Sequence, residues 1–322
     1  MKVLLTGATG FVGTSVAKEL NRNNIQFIAP VRDPSKLAVD VTETYPIESN
    51  SVETDWSEAL QDVSVVIHLA ARVHVMNDTS QDPLEEFRKV NTYATLNLAR
   101  QAAELDVKRF VFLSSIKVNG ESTRPGTPFL PDDKYIPADH YGLSKYEAEQ
   151  GLLEIAKKTG MEVVIIRPPL VYGPGVKANF ALIMNWMKKS IPLPFGTIHN
   201  QRSLVALDNL VNFITLCADR EKSPKAANQV FLVSDNEDVT TTELLRKVAK
   251  AFGKKAWLIP VPTGLMTFVA KFLGKGDVAN RLFGSLQVDS SKARDLLGWK
   301  PVVTMDEQLE KMAKALVNEK SI

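Results

Sequence analysis

Short apolar runs rich in β-branched residues alternate with segments of helical periodicity along the first half of the chain. Five of these runs are apolar almost throughout, which is typical of strands that are covered on both faces. Such strands, separated by helices, predict parallel strands joined by crossover helices and therefore a doubly wound α/β fold. The five runs are KVLLTG, QFIAPV, SVVIHLAA, RFVFLSS and EVVIIRP.

Two of the intervening helices carry clear end signals. One is predicted to begin after Asp82 and Pro83 and to continue through LEEFRKVNTYATLNLARQAAEL. The other is predicted from about Asp139 to Lys158, and Gly160 suits the left-handed cap that ends many helices. Both segments are therefore predicted to be well-defined helices between strands.

The regular alternation ends after RPPLVYGPG. The segment that follows, SIPLPFGTIHNQRSL, is rich in loop-forming residues and precedes one more helix and the strand-like run QVFLVS. We therefore predict an α/β domain at 1–173 and a smaller C-terminal lobe at 174–322. The sequence shows no internal repeat and no low-complexity tract.

The composition argues against several classes of function. The 322 residues carry a net charge of only +2 and no long basic run, so nucleic acid is not an expected partner. The single cysteine, Cys217, cannot form an internal disulfide, and four scattered histidines give no metal-ligand spacing. These features predict a reduced, cytoplasmic protein without a structural metal.

Neither of the two candidate apolar segments predicts insertion into a membrane. The opening MKVLLTGATGFVG has an apolar run too short for a signal peptide. The later segment VPTGLMTFVAKFLGKGDVANRLFGSL is interrupted by Lys271, Gly274, Lys275 and Asp277, so it cannot span a bilayer. We predict that its helices cover the C-terminal lobe, and an amphipathic helix lying on a membrane surface is the alternative.

A glycine-rich turn follows the first strand and opens the first helix. Its glycines stand at positions 7, 10 and 13 in TGATGFVG. Glycines at such a place permit a tight turn and let the backbone approach a pyrophosphate at the positive end of the helix. The turn is predicted to bind a dinucleotide cofactor, although glycines that serve only packing are the alternative. The sequence lacks the Gly-Lys-Ser/Thr of a Walker A loop.

The end of the second predicted strand bears on the choice of cofactor. There Arg32 stands where an acidic partner of the adenosine ribose is usual, and a cation at this place favours the 2′-phosphate of NADP. Asp33 stands beside it and could bind the ribose instead, or the two residues could form a solvated charge pair. NADP is predicted over NAD by a small margin.

A tyrosine and a lysine lie four residues apart in the predicted helix that contains HYGLSKYEAEQ. Residues at i and i+4 share a helix face, so the ammonium of Lys145 is expected to favour the ionised form of Tyr141. A tyrosine pKa lowered toward 7 would make this residue a usable base for an alcohol proton. A hydroxyl from LSS, at the end of the fourth strand, would hydrogen-bond the substrate oxygen.

Taken together, these segments resemble the extended short-chain dehydrogenase/reductase family, specifically its nucleotide-sugar epimerases and dehydratases. The resemblance covers nearly the whole chain, and the segments occur in the family's order. It implies a Rossmann-like domain followed by a substrate-binding lobe, with parts of 204–235 packing back on the Rossmann domain. The segments are TGATGFVG, DVSVVIHLAA, VNTYATLNLARQA, RFVFLSSIKVNG, YGLSK, RPPLVYGPG, QRSLVALDNLV and DSSKARDLLGWKP.

The resemblance assigns roles to individual residues. Ser115, Tyr141 and Lys145 match the catalytic residues of the family, and the last two also match contacts of the nicotinamide ribose. Asp55 matches a contact of the adenine. Core packing is the alternative for these matches, and it is preferred for Leu69 but not for Asp55 or Asn91. The other residues that match cofactor-binding positions are Gly7, Gly10, Phe11, Val12, Gly13, Leu69, Ala70, Ala71, Asn91 and Pro168.

The same resemblance implies substrate contacts in the C-terminal lobe. Asn179 and Arg202 match groups that hold the nucleotide diphosphate, and Ser115 would reach the sugar. Arg281 matches a ribose contact, but no acid follows it at the usual distance. The chain also departs from the family where Ser203 and Ala206 replace an aspartate and a histidine. His74 could approach the sugar, although packing within its loop is the preferred interpretation.

The predicted activity is NAD(P)-dependent hydride transfer at C4 of a nucleotide-activated hexose, with UDP as the expected nucleotide. A 4-keto-sugar reductase of bacterial surface polysaccharide synthesis is predicted first, because SSIKVNGE and Arg32 resemble that branch. A UDP-hexose 4-epimerase is the alternative, and a non-catalytic NADP-binding sensor is a remote one. Ile116 and Lys117 after Ser115 argue against a 4,6-dehydratase. The resemblance also implies a homodimer.

Overall fold

The computed structural model describes residues 1–73, 82–272, 276 and 282–318. Seven parallel strands form one sheet in the order β3-β2-β1-β4-β5-β6-β9, and β7 pairs with β8 in a second, parallel sheet. The strands are β1 (Lys2–Thr6), β2 (Gln26–Val31), β3 (Glu43–Pro46), β4 (Val65–His68), β5 (Arg109–Leu113), β6 (Glu162–Arg167), β7 (Leu170–Tyr172), β8 (Leu204–Ala206) and β9 (Gln229–Leu232).

The helices lie between these strands and after them. They are α1 (Phe11–Arg22), α2 (Pro83–Arg88), α3 (Ala94–Glu104), α4 (His140–Thr159), α5 (Ala178–Lys188), α6 (Leu207–Ala218), α7 (Thr241–Ala251), α8 (Thr263–Phe272), α9 (Ser291–Leu297) and α10 (Met305–Asn318). One turn of π-helix, Lys89–Tyr93, separates α2 from α3. The single helix predicted after Pro83 is therefore interrupted.

The sheet confirms the predicted doubly wound α/β fold. Its strand order is that of a Rossmann fold with one additional strand at the β6 edge. Helices cover both faces: one core contains side chains from α1 and α6, and the other contains side chains from α3 and α4. The carboxyl ends of β1, β4 and β5 consequently meet at one edge, where a parallel sheet places its ligand.

The predicted helix ends of α4 have the expected caps. The Asp139 carboxylate accepts a hydrogen bond from the Gly142 N–H (2.8 Å) and satisfies a donor of the first turn. At the other end Gly160 has φ of 77°, the left-handed conformation that ends a helix at low cost in glycine. These caps fix where α4 begins, and with it the position of the tyrosine in its first turn.

The C-terminal lobe has its own apolar core beside the sheet. Side chains of α5, α7 and α10 pack together there, with Tyr172 of β7 and Leu204 of β8 at its border. Within the segment 204–235, α6 packs against α1 and β9 extends the large sheet. A buried hydrogen bond from the Tyr172 hydroxyl to the Asp235 carboxylate (2.6 Å) joins β7 to the segment that follows β9. The boundary at 173/174 stays a prediction.

Candidate active site

The glycine turn between β1 and α1 is built around close backbone contacts. Gly7 has φ of 75°, and a Cβ there would lie 2.8 Å from the Ala70 nitrogen after β4. A Cβ on Gly13 would lie 1.9 Å from the Gly7 carbonyl oxygen, so any side chain at this position would push α1 away from β1. Both glycines therefore hold the first helix close to the edge of the sheet.

The same turn presents backbone to solvent at the start of α1. Gly10 is the N-cap of this helix, lacks a side-chain cap and is exposed. Phe11 and Val12 form the first turn and are half-buried. The first N–H groups of a helix lack intrahelical partners and carry a partial positive charge, which suits a pyrophosphate. This turn fits a dinucleotide, and its predicted residues lie together at the sheet edge.

The two charged residues after β2, Arg32 and Asp33, differ in their contacts. The Asp33 carboxylate accepts hydrogen bonds from the Ser35 N–H (3.1 Å) and hydroxyl (2.6 Å), and these bonds lower its pKa. Lys36 lies 3.7 Å from its other oxygen. Asp33 therefore stabilises its own turn, whereas the Arg32 side chain is exposed to solvent beyond the strand. This geometry leaves the exposed cation of Arg32 directly after the carboxyl end of β2.

Asp55 and Asn91 lie in very different surroundings. The exposed Asp55 carboxylate accepts a hydrogen bond from the Ser57 N–H (2.9 Å), and this bond lowers its pKa. The Asn91 side chain is fully buried in the π-turn. Its amide donates to the Arg72 carbonyl and to the Ser144 hydroxyl, both at 3.0 Å, and accepts from the Arg72 N–H. Asn91 therefore fastens the segment after β4 to α4.

The remaining cofactor-site predictions lie along the carboxyl edge of the sheet. Leu69, Ala70 and Ala71 follow β4 directly and are half-buried. The Ala70 N–H donates to the Thr6 hydroxyl at the end of β1 (3.3 Å). Pro168 is buried after β6, and its carbonyl accepts from the Ile116 N–H (3.0 Å). Hydrogen bonds thus join the ends of β1 and β4, and those of β5 and β6, along one edge of the sheet.

Ser115 and Tyr141 come together at this edge. Ser115 follows β5, and its hydroxyl oxygen accepts from the Lys117 N–H (3.3 Å) at the start of a 3-10 turn. Tyr141 lies in the first turn of α4, with its ring edge-on to Phe87 (6.1 Å between centroids). Ser115 lies close enough to the Tyr141 hydroxyl to act on its pKa, which it lowers. The predicted acid–base residue and its partner hydroxyl are therefore adjacent.

The predicted effect of Lys145 on Tyr141 is wrong in this arrangement. Burial raises the pKa of Tyr141 to about 12 and outweighs the opposing effect of Ser115. The Lys145 ammonium instead donates to the Leu113 carbonyl (2.9 Å) and lies 4.3 Å from the centre of the Phe112 ring. Because a shared helix face does not determine where a long side chain ends, the spacing alone could not predict this contact.

Lys145 is itself strongly perturbed. Its side chain is almost completely buried, and burial lowers its pKa to about 7 against the opposing attraction of Glu149. A lysine with a pKa near neutrality can both carry a positive charge and exchange a proton. Lys145 therefore has the properties of a functional residue, and its buried ammonium also holds α4 to the end of β5.

A buried ionic network behind this site was missed in the sequence analysis. Glu149, one helical turn after Lys145, is fully buried and pairs with Arg167 at the end of β6 (2.5 Å). The Ser114 hydroxyl also donates to Glu149, and Arg167 donates to the Asn119 side chain (2.9 Å). The i+4 spacing of Lys145 and Glu149 was the available signal. This network fixes β5, β6 and α4 relative to one another.

The predicted substrate contacts are only partly described. Arg202 donates its side chain to the Gly284 carbonyl (3.2 Å), and burial lowers its pKa. Its backbone pairs with Val239 (3.0 Å). Arg281 and His74 lie outside the described residues, and the side chain of Asn179, in α5, does too. The structure therefore places only Arg202 of the predicted substrate contacts in the C-terminal lobe.

A cavity of about 620 Å³ lies in the C-terminal lobe close to the chain that precedes Arg202. Its walls include Thr197, His199 and Asn200 on one side and residues of α8 on the other. The Asn200 side chain donates to the Gly284 carbonyl (2.9 Å), which Arg202 also contacts. The cavity is large enough for a nucleotide-sized ligand, which suits a substrate pocket.

A family model matches residues 3–232, well over half of the chain, and its description is the NAD dependent epimerase/dehydratase family. The chain belongs to this family. The match includes the glycine turn, Ser115, Tyr141 and Lys145. The predicted class, an NAD(P)-dependent enzyme of the extended short-chain dehydrogenase/reductase type, is therefore confirmed at the level of the family.

Relatives with curated names cover most of the chain. A Vibrio cholerae protein described as UDP-glucose 4-epimerase is 49% identical, over 98% of this chain and 95% of its own. An Escherichia coli dTDP-4-dehydro-6-deoxyglucose reductase is 24% identical, over 98% and 97%. The UDP-glucose 4-epimerase of Thermotoga maritima, solved with UDP-glucose, has a TM-score of 0.76 at 24% identity and covers 99% of this chain and 100% of its own. That likeness shows the fold.

Two searches of the described residues bear on metals and membranes. Within residues 1–73, 82–272, 276 and 282–318, no group of three or more histidine, cysteine, aspartate or glutamate side chains could hold a metal ion. In the same part of the chain, no helix is long and apolar enough to cross a bilayer.

Proposed function

We propose that the protein is a UDP-hexose 4-epimerase that works with bound NAD. The observation that carries this proposal is that Ser115 acts on the pKa of Tyr141 at the same edge of the sheet as the glycine turn. The 49% identity to a protein described as UDP-glucose 4-epimerase supports the epimerase branch over the reductase that the sequence analysis placed first. Family membership alone supports only the coarser class.

In this proposal Tyr141 accepts the proton of the sugar's 4-hydroxyl group as the C4–H bond breaks. Ser115 would hold the same oxygen through its hydroxyl, so the developing carbonyl keeps a hydrogen-bond donor. Bound NAD supplies the hydride acceptor and, in its oxidised form, a positive charge that favours an ionised tyrosine. Tyr141 would then return its proton to the 4-keto oxygen, and a hydride delivered to the other face of C4 would complete the inversion with no reductant consumed.

Lys145 would act on the cofactor side of this reaction. Its ammonium lies at the carboxyl end of β5, where it donates to Leu113. A ribose hydroxyl of a bound dinucleotide would accept from the same group. The buried Glu149–Arg167 pair behind it would hold α4 in the position that this contact needs.

The substrate's diphosphate would lie in the C-terminal lobe. Arg202 is the described cation nearest in sequence to the cavity wall formed by Thr197, His199 and Asn200. A guanidinium group can donate two parallel hydrogen bonds to phosphate oxygens, and its burial would strengthen them. The contacts predicted for Asn179 and Arg281 stay predictions, as does the homodimer.

A 4-keto-sugar reductase that uses NADPH is the second candidate. The exposed Arg32 after β2 favours it, because a cation there suits the 2′-phosphate of NADP. The Escherichia coli relative described as a dTDP-4-dehydro-6-deoxyglucose reductase is a second point in its favour. In the reductase the same Tyr141 would give a proton to the 4-keto oxygen, and NADPH would be consumed.

Product analysis separates these candidates. We expect NMR to show interconversion of gluco and galacto forms when the protein is mixed with UDP-glucose or UDP-GlcNAc, without net change in reduced cofactor. A sample with UDP-4-keto-6-deoxy-GlcNAc and NADPH serves as the competing test. Stoichiometric loss of NADPH in that sample, with no epimerisation in the others, would support the reductase. No reaction in any sample would favour the sensor.

A further inference from the structure

Helix α8 exposes a row of large apolar side chains. Leu265, Phe268 and Phe272 are 56%, 70% and 85% exposed. Their spacing of three and four residues places them on one face of the helix. Isolated exposed apolar residues are common on protein surfaces, but a row that includes two phenylalanines needs an explanation.

The chain that leads into α8 continues this exposure. Trp257 and Ile259 are 68% and 51% exposed, while Leu258 between them packs against the core of the lobe. The segment is fixed by backbone bonds to Leu193, which donates to Trp257 (2.9 Å) and accepts from Ile259 (2.8 Å). Only three residues separate Ile259 from the start of α8 at Thr263, and the four residue steps between the two limit their separation to about 14 Å. These apolar residues thus stand on an ordered part of the lobe.

The charge of this region has one sign. Residues 244–276 contain no aspartate or glutamate, although the whole chain is close to neutral. Lys255 and Lys271 are exposed next to the apolar side chains of the segment and of α8. Lys247 and Lys250 of α7 pair with Asp306, so the exposed cations of the segment and of α8 are Lys254, Lys255 and Lys271. Residues 254–259 and 263–272 thus present exposed aromatic and basic side chains and contain no acid of their own, which is complementary to an anionic, partly apolar partner.

We propose that α8 and residues 254–259, together called the α8 surface, dock the protein on an anionic phospholipid bilayer. Phenylalanine and tryptophan side chains enter the boundary between headgroups and acyl chains, and lysines bind the anionic headgroups. A ten-residue helix is about 15 Å long, so α8 would lie on the bilayer and not cross it. The interpretation that this segment only covers the lobe leaves its exposed phenylalanines unexplained.

Docking would also orient the cavity of the C-terminal lobe. Phe268 and Lys271 belong both to the α8 surface and to the walls of this cavity. A protein held by this surface therefore has its cavity next to the bilayer. The docking itself does not depend on the proposed epimerase activity, because it needs neither NAD nor a sugar substrate.

Flotation of the full chain with lipid vesicles tests the proposal. We expect the protein to float with vesicles that contain phosphatidylglycerol, less with pure phosphatidylcholine, and less again as salt is raised. Replacing both Phe268 and Phe272 with serine should lower the partition coefficient by about tenfold or more. The free energy gained when each phenylalanine ring leaves water is large enough for a change of that size. Lys255→Gln with Lys271→Gln should remove the preference for anionic vesicles.

A matched control uses apolar residues that are exposed elsewhere. Val52 and Val302 are 53% and 55% exposed, and their serine variants should float as the parent does. Thermal unfolding of each variant shows whether it is folded. The proposal is overturned if the parent binds neither type of vesicle, or if the phenylalanine variant binds equally well. Self-association that the phenylalanine variant loses, without vesicle binding, would instead identify an interface between copies.

Discussion

Replacing Tyr141 with phenylalanine is expected to lower kcat by roughly 10²–10⁴-fold, because the reaction loses the group that moves the 4-hydroxyl proton. KM should change little, since the variant keeps the ring that packs against Phe87. The variant should also bind NAD as the parent does, because the glycine turn is untouched. Steady-state kinetics and NAD titration measure these effects.

Tyr135→Phe is the control for the loss of a tyrosine hydroxyl in the same part of the chain. Tyr135 precedes α4 and is 44% exposed, so its variant should keep full activity. Equal kcat values for Tyr141→Phe and the parent would refute the role assigned to Tyr141. Loss of NAD binding by Tyr141→Phe would show that the residue acts through the cofactor site.

Arg109→Met is expected to lower the free energy of unfolding by about 3–5 kcal/mol, since it removes a fully buried cation that pairs with Glu162 and satisfies two buried acceptors. The Arg109 guanidinium is fully buried at the start of β5. It donates to Glu162 (2.7 Å), to the Cys217 carbonyl (2.8 Å) and to the Ser223 hydroxyl (2.9 Å). Methionine fills similar space but takes the donor away from Cys217 and Ser223, while Glu162 keeps Arg220. Urea unfolding measures the loss.

Arg220→Met is a control that affects the same carboxylate. Arg220 pairs with Glu162 at 2.7 Å, but its side chain is 43% exposed. Water can replace it, so the expected loss is below about 1 kcal/mol. Losses of equal size for the two variants would show that the buried contacts of Arg109 to Cys217 and Ser223 contribute nothing beyond the ion pair.

The large parallel sheet could be predicted because its strands are buried on both faces. Continuous apolar runs form β1, β4, β5 and β6. This pattern can be recognised in the sequence of each strand alone, without knowing which strands pair with it. β3 was not predicted. Its sequence, ETYP, contains a glutamate and a proline, and it lies at the sheet edge with most of its residues exposed. Only pairing with β2 makes it a strand.

The site shows a similar limit. The sequence brought Ser115, Tyr141 and the glycine turn to one edge, because parallel strands end together there. It could not place the Lys145 ammonium, whose position depends on the Leu113 carbonyl and on burial by Phe112. It also could not show that Glu149 and Arg167 meet, since these residues come from a helix and a strand whose distance only the fold sets.

The most direct test of the account is the fate of the hydrogen at C4 of the sugar. UDP-glucose deuterated at C4 would be incubated with the NAD-loaded protein, and the products analysed by NMR and mass spectrometry. The account predicts UDP-galactose that retains deuterium at C4, because the hydride leaves and returns without exchange with water. Loss of the deuterium to solvent during inversion, or no inversion at all, would contradict it.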